Sequence, residues 1–495
     1  MSILTIILFG ILFVITIYWL YKRYYTNNNS NKGNTRKLKS QWLLGIGLTV
    51  GRKVFHEAIY CMKEKYGDIL SFQVGFRRII IISRIDYTEH ILSHRHIYDI
   101  SDITTRNFSL LFPGGLLSLK GETWKRHARL MLPVFRRSKI LPYFETIVEC
   151  IDDFIDKQFL NNKIKIHKDL VIKCQHILLT IIARIAFNYD FSNLSTNDGM
   201  NIHQAFNNMI DCASRFALMT AIPLWLAKLM LKLNFKFQKS LNIMKNHVMS
   251  IIHDEQKRQH EQIYLSDQRK SLITLLVEAS QNEAKISLSS NEMFDEISMS
   301  ILAGFETTST ALSWFIFYMS KYPNIQSKIK NELKQYGLTS NTSLTQEILD
   351  QLIYVDCVTK EVLRFAPIAA GIVREAISDD IIDGIEINKG DVFLIAIQNL
   401  HKNSNYWKID PEKFIPERFL NEDKNPPRYA YMPFGGGHRT CIGQDLALLE
   451  LKTAITRLMQ RITIEDPGKE ANNSGGFIQR VTCYPKHMAV RVIID

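Results

Sequence analysis

Cysteine is scarce and unpatterned in this chain. The seven residues (Cys61, Cys150, Cys174, Cys212, Cys357, Cys441 and Cys483) are odd in number and include no C-x-x-C pair, which excludes a disulfide framework and a cysteine-rich zinc site. The folded part is therefore expected in a reducing compartment. Proline and glycine are also few, 13 and 23 among 495 residues, too few for a collagen-like or low-complexity chain. From Glu145 to Ala284 they are nearly missing, and no repeat cuts the sequence into arrays. A phosphate-binding loop is lacking, because the glycines at 435 to 437 are not followed by a nucleotide-binding pattern. His94-Arg95-His96 is too isolated to hold zinc, and no nucleic-acid module with stacking aromatics is visible. Acid is in deficit, 49 Asp and Glu against 61 Lys and Arg, a net charge of +12. That balance suits an anionic membrane surface and an acidic protein partner, and not nucleic acid.

What the chain does have is apolar residues, 46% of the total, enough for one large buried core. Ile3 to Tyr21 runs for 19 positions without a charge, about 28 Å as a helix and close to the thickness of a bilayer's hydrocarbon core. Tyr18, Trp19 and Tyr21 stand where an interfacial aromatic belt belongs, and Lys22 and Arg23 follow at once. No positive region precedes the apolar run and no small-residue cleavage site follows it, so a membrane anchor is favoured over a cleaved signal peptide. The positive flank places the bulk of the chain in the cytosol. The expected division is an anchor at 1–21, a basic Asn-rich linker at 22–41 lying on an anionic surface, and a folded unit at 42–495.

Within the folded unit, Ser71 to Ile82 contains two β-rich runs broken near Gly75, a predicted hairpin. Met488 to Ile494 alternates apolar and polar positions as a strand does, and helical periodicity dominates between them. The fold class is α+β, predominantly α-helical, in one large unit. Ser289 with Glu292 forms a capping box for a long apolar helix ending before Pro323. Inside it stands Ala303-Gly304-Phe305-Glu306-Thr307-Thr308. A mid-helix glycine costs about 1 kcal/mol relative to alanine, tolerable if something flat lies against the backbone or the helix opens locally. An acid beside a hydroxyl can deliver protons, or the Glu can face solvent while the threonines bond back to the preceding turn.

Phe434-Gly435-Gly436-Gly437-His438-Arg439-Thr440-Cys441-Ile442-Gly443 leads into a helical pattern from Gln444 to Gln460 with Leu448, Leu451, Ile455 and Leu458 on one face. A cysteine at the mouth of a helix gains a lowered thiol pKa and backbone N–H donors, as a thiolate metal ligand requires. Glu361 and Arg364 are three apart on a helix, and Pro416-Glu417-Arg418-Phe419 follows some fifty residues later.

These segments, in this order, resemble those of the cytochrome P450 family over about Trp42 to the C-terminus. The cysteine loop matches Phe-x-x-Gly-x-Arg-x-Cys-x-Gly at every fixed position, and 303–308 is similar to the oxygen-activating segment. The resemblance implies the triangular, helix-rich haem-domain fold with a smaller β-region, of the membrane-anchored microsomal type. It implies haem b with Cys441 as axial thiolate ligand, and Phe434, Gly435, Arg439 and Gly443 as cofactor-binding residues beside it. It assigns proton delivery to Glu306 and Thr307, and a buried structural triad to Glu361, Arg364 and Arg418. Trp124 and Arg374 match positions that contact haem propionates. The family's Trp-x-x-x-Arg pattern departs here, since Ala128 holds the Arg position; Arg129, Lys125 or His127 are the cations available to replace it. The expected activity is monooxygenation of a lipophilic substrate on the cytosolic face of the endoplasmic reticulum membrane, in a single-pass protein. Electrons would come from NADPH through cytochrome P450 reductase, a flavoprotein, with cytochrome b5 as a further candidate donor. The alternatives are a haem-thiolate isomerase or dehydratase acting on peroxides without a reductase, and a non-catalytic haem-binding protein.

Overall fold

The computed structural model describes residues 40–41, 53–74, 77–160, 164–187, 202–217, 223–260, 270–282 and 287–495. The expected anchor and nearly all of the expected linker lie outside the described residues, among which no helix is long and apolar enough to cross a membrane.

Helices make up most of the described chain. Those used below are α1 (Gly121–Val134), α2 (Phe144–Ile155), α3 (Leu170–Phe187), α4 (Ile202–Ala217), α5 (Phe235–His260), α6 (Ser290–Lys321), α7 (Ile353–Phe365) and α8 (Gln444–Arg461). The strands form four small sheets. The largest joins β1 (Ser40–Gln41), β2 (Ile69–Val74), β3 (Arg77–Ile82), β4 (Tyr98–Ile100), β6 (Ile372–Ala376) and β9 (Val392–Ile395) in the order β1-β2-β3-β9-β6-β4. A three-stranded sheet contains β5 (Ile166–His167), β10 (Ile462–Glu465) and β13 (Val490–Ile494). Two hairpins, β7 (Asp380–Ile382) with β8 (Ile385–Ile387) and β11 (Gly475–Gln479) with β12 (Cys483–His487), complete the set.

The expected hairpin near Gly75 is the antiparallel pair β2 and β3, in register from Ile69↔Ile82 to Val74↔Arg77. The isoleucine run in β3 works because strand side chains alternate faces. Ile80 and Ile82 pack with Ile91, Phe393 and Leu400, while Ile81 packs on the other face with Ile59, Leu70 and Leu394. Ser40 and Gln41, the last residues of the expected linker, pair with Ser71 and Phe72, so the sheet begins two residues before position 42.

The long helix α6 begins as its sequence anticipates. The Ser289 hydroxyl accepts the Glu292 N–H at 3.3 Å, and the Glu292 carboxylate accepts the Ser289 N–H at 2.9 Å. Its 32 residues, about 48 Å of helix at the usual rise, are buried on nearly every side and packed by α3, α5 and α8. A Cβ on the mid-helix Gly304 would lie 2.5 Å from Ile182 Cδ1 on α3, so a side chain there would require the end of Ile182 to shift.

Candidate haem-thiolate site

The cysteine loop is a tight turn held by its own backbone. The Gly435 N–H donates to the Met432 carbonyl at 3.0 Å and the Cys441 N–H to the Phe434 carbonyl at 3.0 Å. Gly435 and Gly437 both have φ of +73°, a region that side chains penalise. A Cβ on Gly437 would also meet the Leu92 carbonyl oxygen at 2.8 Å, so the loop is pressed onto the helix Ile85–Ser93. Gly443 then caps α8.

Of the seven cysteines, Cys441 alone is exposed. Burial of the thiol group pushes it above its ordinary value, while the Gly443 N–H acts the other way. The net direction is opposite to the lowering expected from the helix mouth, because desolvation of an anion outweighs one amide. A thiolate here needs a positive partner at the sulfur, as a metal ion provides. Cys483 is sealed in β12 with its thiol pushed up to about 12 by burial, and its carbonyl accepts the Trp314 indole N–H at 2.8 Å.

Two guanidinium groups converge beside the loop. Arg374 on β6 is buried and donates only to the Val373 and Gly436 carbonyls, at 3.1 and 3.2 Å. Burial and the charge of Arg439 push it down to about 10. Arg439 lies on the indole of Trp124 with its Cζ 3.8 Å from the ring centroid, and donates to Asp99 at 2.9 Å and to the Leu119 carbonyl at 3.1 Å. Its Nε is buried without a partner. His438 approaches the same Asp99 oxygen at 3.4 Å and the edge of Trp124 at 5.8 Å. Burial opposes ionisation of Asp99, but His438, the Ile100 N–H and Arg439 hold it far below the ordinary carboxylate range. The one carboxylate of the cluster pairs with Arg439. Among the described residues Arg374 makes no ion pair, so the cluster retains donors for a further anion. An exposed cysteine and a surplus of fork-shaped donors beside it fit an iron porphyrin with carboxylate side chains.

None of the cations proposed to replace the missing Arg at position 128 joins this cluster. Ala128 is buried, Lys125 pairs with Glu122 on the outside at 2.6 Å, and Arg129 is exposed. His127 is fully buried against Glu296, Nδ1 to Oε1 at 2.5 Å. Asp99 and His438 take the neighbouring places, and the sequence contains no signal for Asp99, which arrives through the long-range pairing of β4 with β6.

Glu306 and Thr307 occupy adjacent positions of α6 but engage different partners. Glu306 is buried and accepts from Gln175 at 3.2 Å and Thr482 at 3.1 Å. Burial raises its pKa, with Thr482, Arg480 and Gln175 acting against that rise. It does not face solvent. The Thr307 hydroxyl bonds back to the Ala303 carbonyl at 2.7 Å.

Glu361, Arg364 and Arg418 form a fully buried cluster, as the family resemblance implied. Arg364 grips Glu361 with two bonds of 2.7 and 2.8 Å, and Arg418 Nε reaches it at 3.2 Å. The remaining guanidinium N–H groups donate to the carbonyls of His401, Ile409, Asp410, Pro411 and Lys413, and Arg418 also to the Asp423 carboxylate at 3.2 Å. Such full satisfaction lets buried charges define loop geometry at tolerable cost. Trp407 lies between the two guanidinium groups, 5.2 and 5.6 Å from its ring centroid.

The profile of the cytochrome P450 family matches residues 36–486. The rat protein cytochrome P450 3A9 is 28% identical over 425 residues, covering 83% of this chain and 81% of its own. The chloroplastic protein LUTEIN DEFICIENT 5 of Arabidopsis thaliana is 25% identical over 429 residues, 84% of this chain and 70% of its own. The chloroplastic carotene epsilon-monooxygenase of the same plant is 25% identical over 427 residues, covering 82% and 76%. The helix-dominated architecture, the loop around Cys441 and these similarities agree: the chain belongs to the cytochrome P450 family, whose members are monooxygenases that bind haem through a cysteine thiolate.

Proposed function

We propose that this chain is a reductase-dependent monooxygenase of lipophilic molecules in which Cys441 would hold the haem through its thiolate. The observation that carries the reading is the placing of one exposed cysteine, faced by the Gly443 N–H, in the same loop as Arg439, with the buried Arg374, which has no carboxylate partner, bonded to that loop. When bound, haem supplies the redox chemistry that splits dioxygen, with the thiolate donating electron density toward the bond that breaks. The protein's own residues do the rest. Arg374, Arg439 and the Trp124 indole receive the propionates, while Phe434, Gly435 and Gly443 shape the loop that presents the sulfur. Glu306, held neutral more readily by its burial, stores a proton in an apolar helix, and the Thr307 hydroxyl hands it on toward the reacting oxygen.

NADPH supplies the electrons through cytochrome P450 reductase docking on the basic surface, with cytochrome b5 as an auxiliary donor, in keeping with the net charge of +12. The apolar character of Thr104 to Leu117, Phe206 to Met230 and Pro367 to Val373 suits a lipophilic substrate. An anchor at 1–21, a linker ending near 41 and a haem domain from 42 put the site on the cytosolic side of the endoplasmic reticulum.

The test is the absorption spectrum of the reduced protein with carbon monoxide. The wild type is expected to show the red-shifted Soret band of thiolate ligation, and Cys441→Ser to lose it. A band at the histidine-ligated position in well-folded wild type would overturn the assignment of Cys441. Thr307→Ala should consume NADPH without proportionate product; full coupling would remove Thr307 from the relay.

A further inference from the structure

Glu306 sits in a hydroxyl network whose donors and acceptors can be arranged in two complete ways. The Thr482 hydroxyl lies 3.1 Å from Glu306 Oε1, and the Thr310 hydroxyl lies 2.7 Å from that of Thr482. Thr310 is also 2.8 Å from the backbone carbonyl of Glu306, which has a second hydroxyl donor in Ser309 at 3.2 Å. Gln175 holds the other carboxyl oxygen at 3.2 Å. Glu306, Thr310, Thr482 and Gln175 are all at most 3% exposed.

A hydroxyl has one hydrogen to give and lone pairs to receive. With Glu306 ionised, Thr310 donates to Thr482 and Thr482 donates to the carboxylate, while Ser309 keeps the Glu306 carbonyl satisfied. With Glu306 protonated, the new carboxyl O–H donates to Thr482, Thr482 donates to Thr310, and Thr310 donates to the carbonyl. The change breaks and makes only O–H···O contacts, needs two hydroxyl rotations, and takes its single proton from solvent water. No buried polar atom of this set is orphaned in either state.

We propose that Thr482, with Thr310, is a positioning pair that lets Glu306 gain and lose its proton in place, making the C-terminal hairpin part of the proton-handling apparatus. This rests on the reading of Glu306 as the relay acid. The hairpin is built to hold Thr482 still. Trp314 donates to the Cys483 carbonyl at 2.8 Å, the Arg480 N–H donates to the Thr482 carbonyl at 2.8 Å, and a Cβ on Gly475 would meet the Phe317 ring at 2.8 Å. The charged and titratable groups facing this region are Arg480 and Tyr484 on the hairpin, Asp211 on α4, and the His176–His203 pair near Phe305, with Arg480 and Asp211 3.4 Å apart. Arg480 favours the ionised acid and Asp211 opposes it, so nearby charge is mixed, and the Thr482 hydroxyl, bonded directly to the carboxylate, favours ionisation against burial.

The experiment is a pH titration of the haem-loaded, full-length protein by difference infrared spectroscopy, following the carbonyl stretch of a protonated carboxylic acid, with Glu306→Gln identifying the band. Thr482→Val should move the midpoint to higher pH by about one unit, the worth of a lost hydrogen bond to a charged group. Thr482→Ser should restore the wild-type midpoint. An unchanged midpoint in Thr482→Val, or an equal shift in Thr482→Ser, would overturn the proposal. Thr310→Val is the second variant, for use if Thr482→Val does not fold, and should shift the band in the same direction; no shift there also counts against the pair. Turnover separates the two layers: Glu306→Gln that remains fully coupled would dismiss the relay acid even where the titration shows Thr482 bonded to Glu306.

Discussion

The imidazole of His401 connects the buried ion cluster to the cysteine loop. Its Nε2 accepts the backbone N–H of Met432 at 3.0 Å, two residues before Phe434, while Nδ1 bonds to the carbonyl of Arg364 at 3.1 Å. Accepting at one nitrogen and donating at the other requires the neutral ring. Burial and the charge of Arg364 enforce neutrality by pushing the imidazole down to about 3. His401→Phe keeps the stack on Tyr431, now 5.6 Å between ring centroids, but orphans the Met432 N–H. It should cost about 1–3 kcal/mol in thermal or denaturant unfolding and speed haem loss. Wild-type values for both would dismiss the strut.

Arg374 carries a buried charge with carbonyl partners alone. In the haem-free protein, Arg374→Gln should leave stability equal or improved, because an uncompensated cation is removed. In the loaded protein it should weaken haem retention by about ten- to a hundredfold, the worth of a charge-assisted bond to a carboxylate. Transfer of haem to a scavenger measures this, and retention unchanged in Arg374→Gln would take Arg374 out of the site.

Removing the charge of Glu361 leaves Arg364 without an anion at full burial, while Arg418 keeps only Asp423, at 3.2 Å. Glu361→Gln should destabilise by about 3–5 kcal/mol. Soluble yield and the unfolding midpoint report the loss. A midpoint within a degree of wild type would mean that the cluster does not hold the segment before the loop.

Glu450 on α8 is fully buried where α6 and α8 face an apolar cavity lined by Ile151, Ile177, Leu312 and Leu458. Burial pushes its carboxyl up to about 8, the Thr308 hydroxyl acting the other way. An acid whose folded pKa lies above its unfolded value binds an extra proton in the native state, so stability falls as pH rises from about 4.5 to 8. Glu450→Gln should flatten that fall, with its unfolding midpoint gaining on the wild type between pH 5 and pH 8. Parallel curves for the two proteins would show that Glu450 is already ionised at neutral pH.

Much of the site was legible because its signals are local. Ser289 and Glu292 are three residues apart, as a capping box demands, and β2 and β3, which pair antiparallel, are separated by two positions in the sequence. The cysteine loop keeps its glycines, Arg439 and Cys441 within ten residues. Less could be read where contacts depend on distant segments. The contact of Asp99 with Arg439 and His438 depends on β4 pairing with β6, nearly 275 positions later in the chain. The contact of Ile182 with Gly304 likewise comes from a helix more than a hundred residues away.

By itself, the sequence determined the family, the periodic elements, and which residues carry cysteine, guanidinium and carboxyl chemistry, because those depend on residue type and short spacing. The tertiary structure decided which groups are charged and what they hold. The Cys441 thiol is desolvated enough to need a positive partner, Arg374 is left without a carboxylate, and Glu306 turns to Thr482 and Gln175. Desolvation and pairing belong to surroundings assembled from segments hundreds of residues apart, and no local pattern records them.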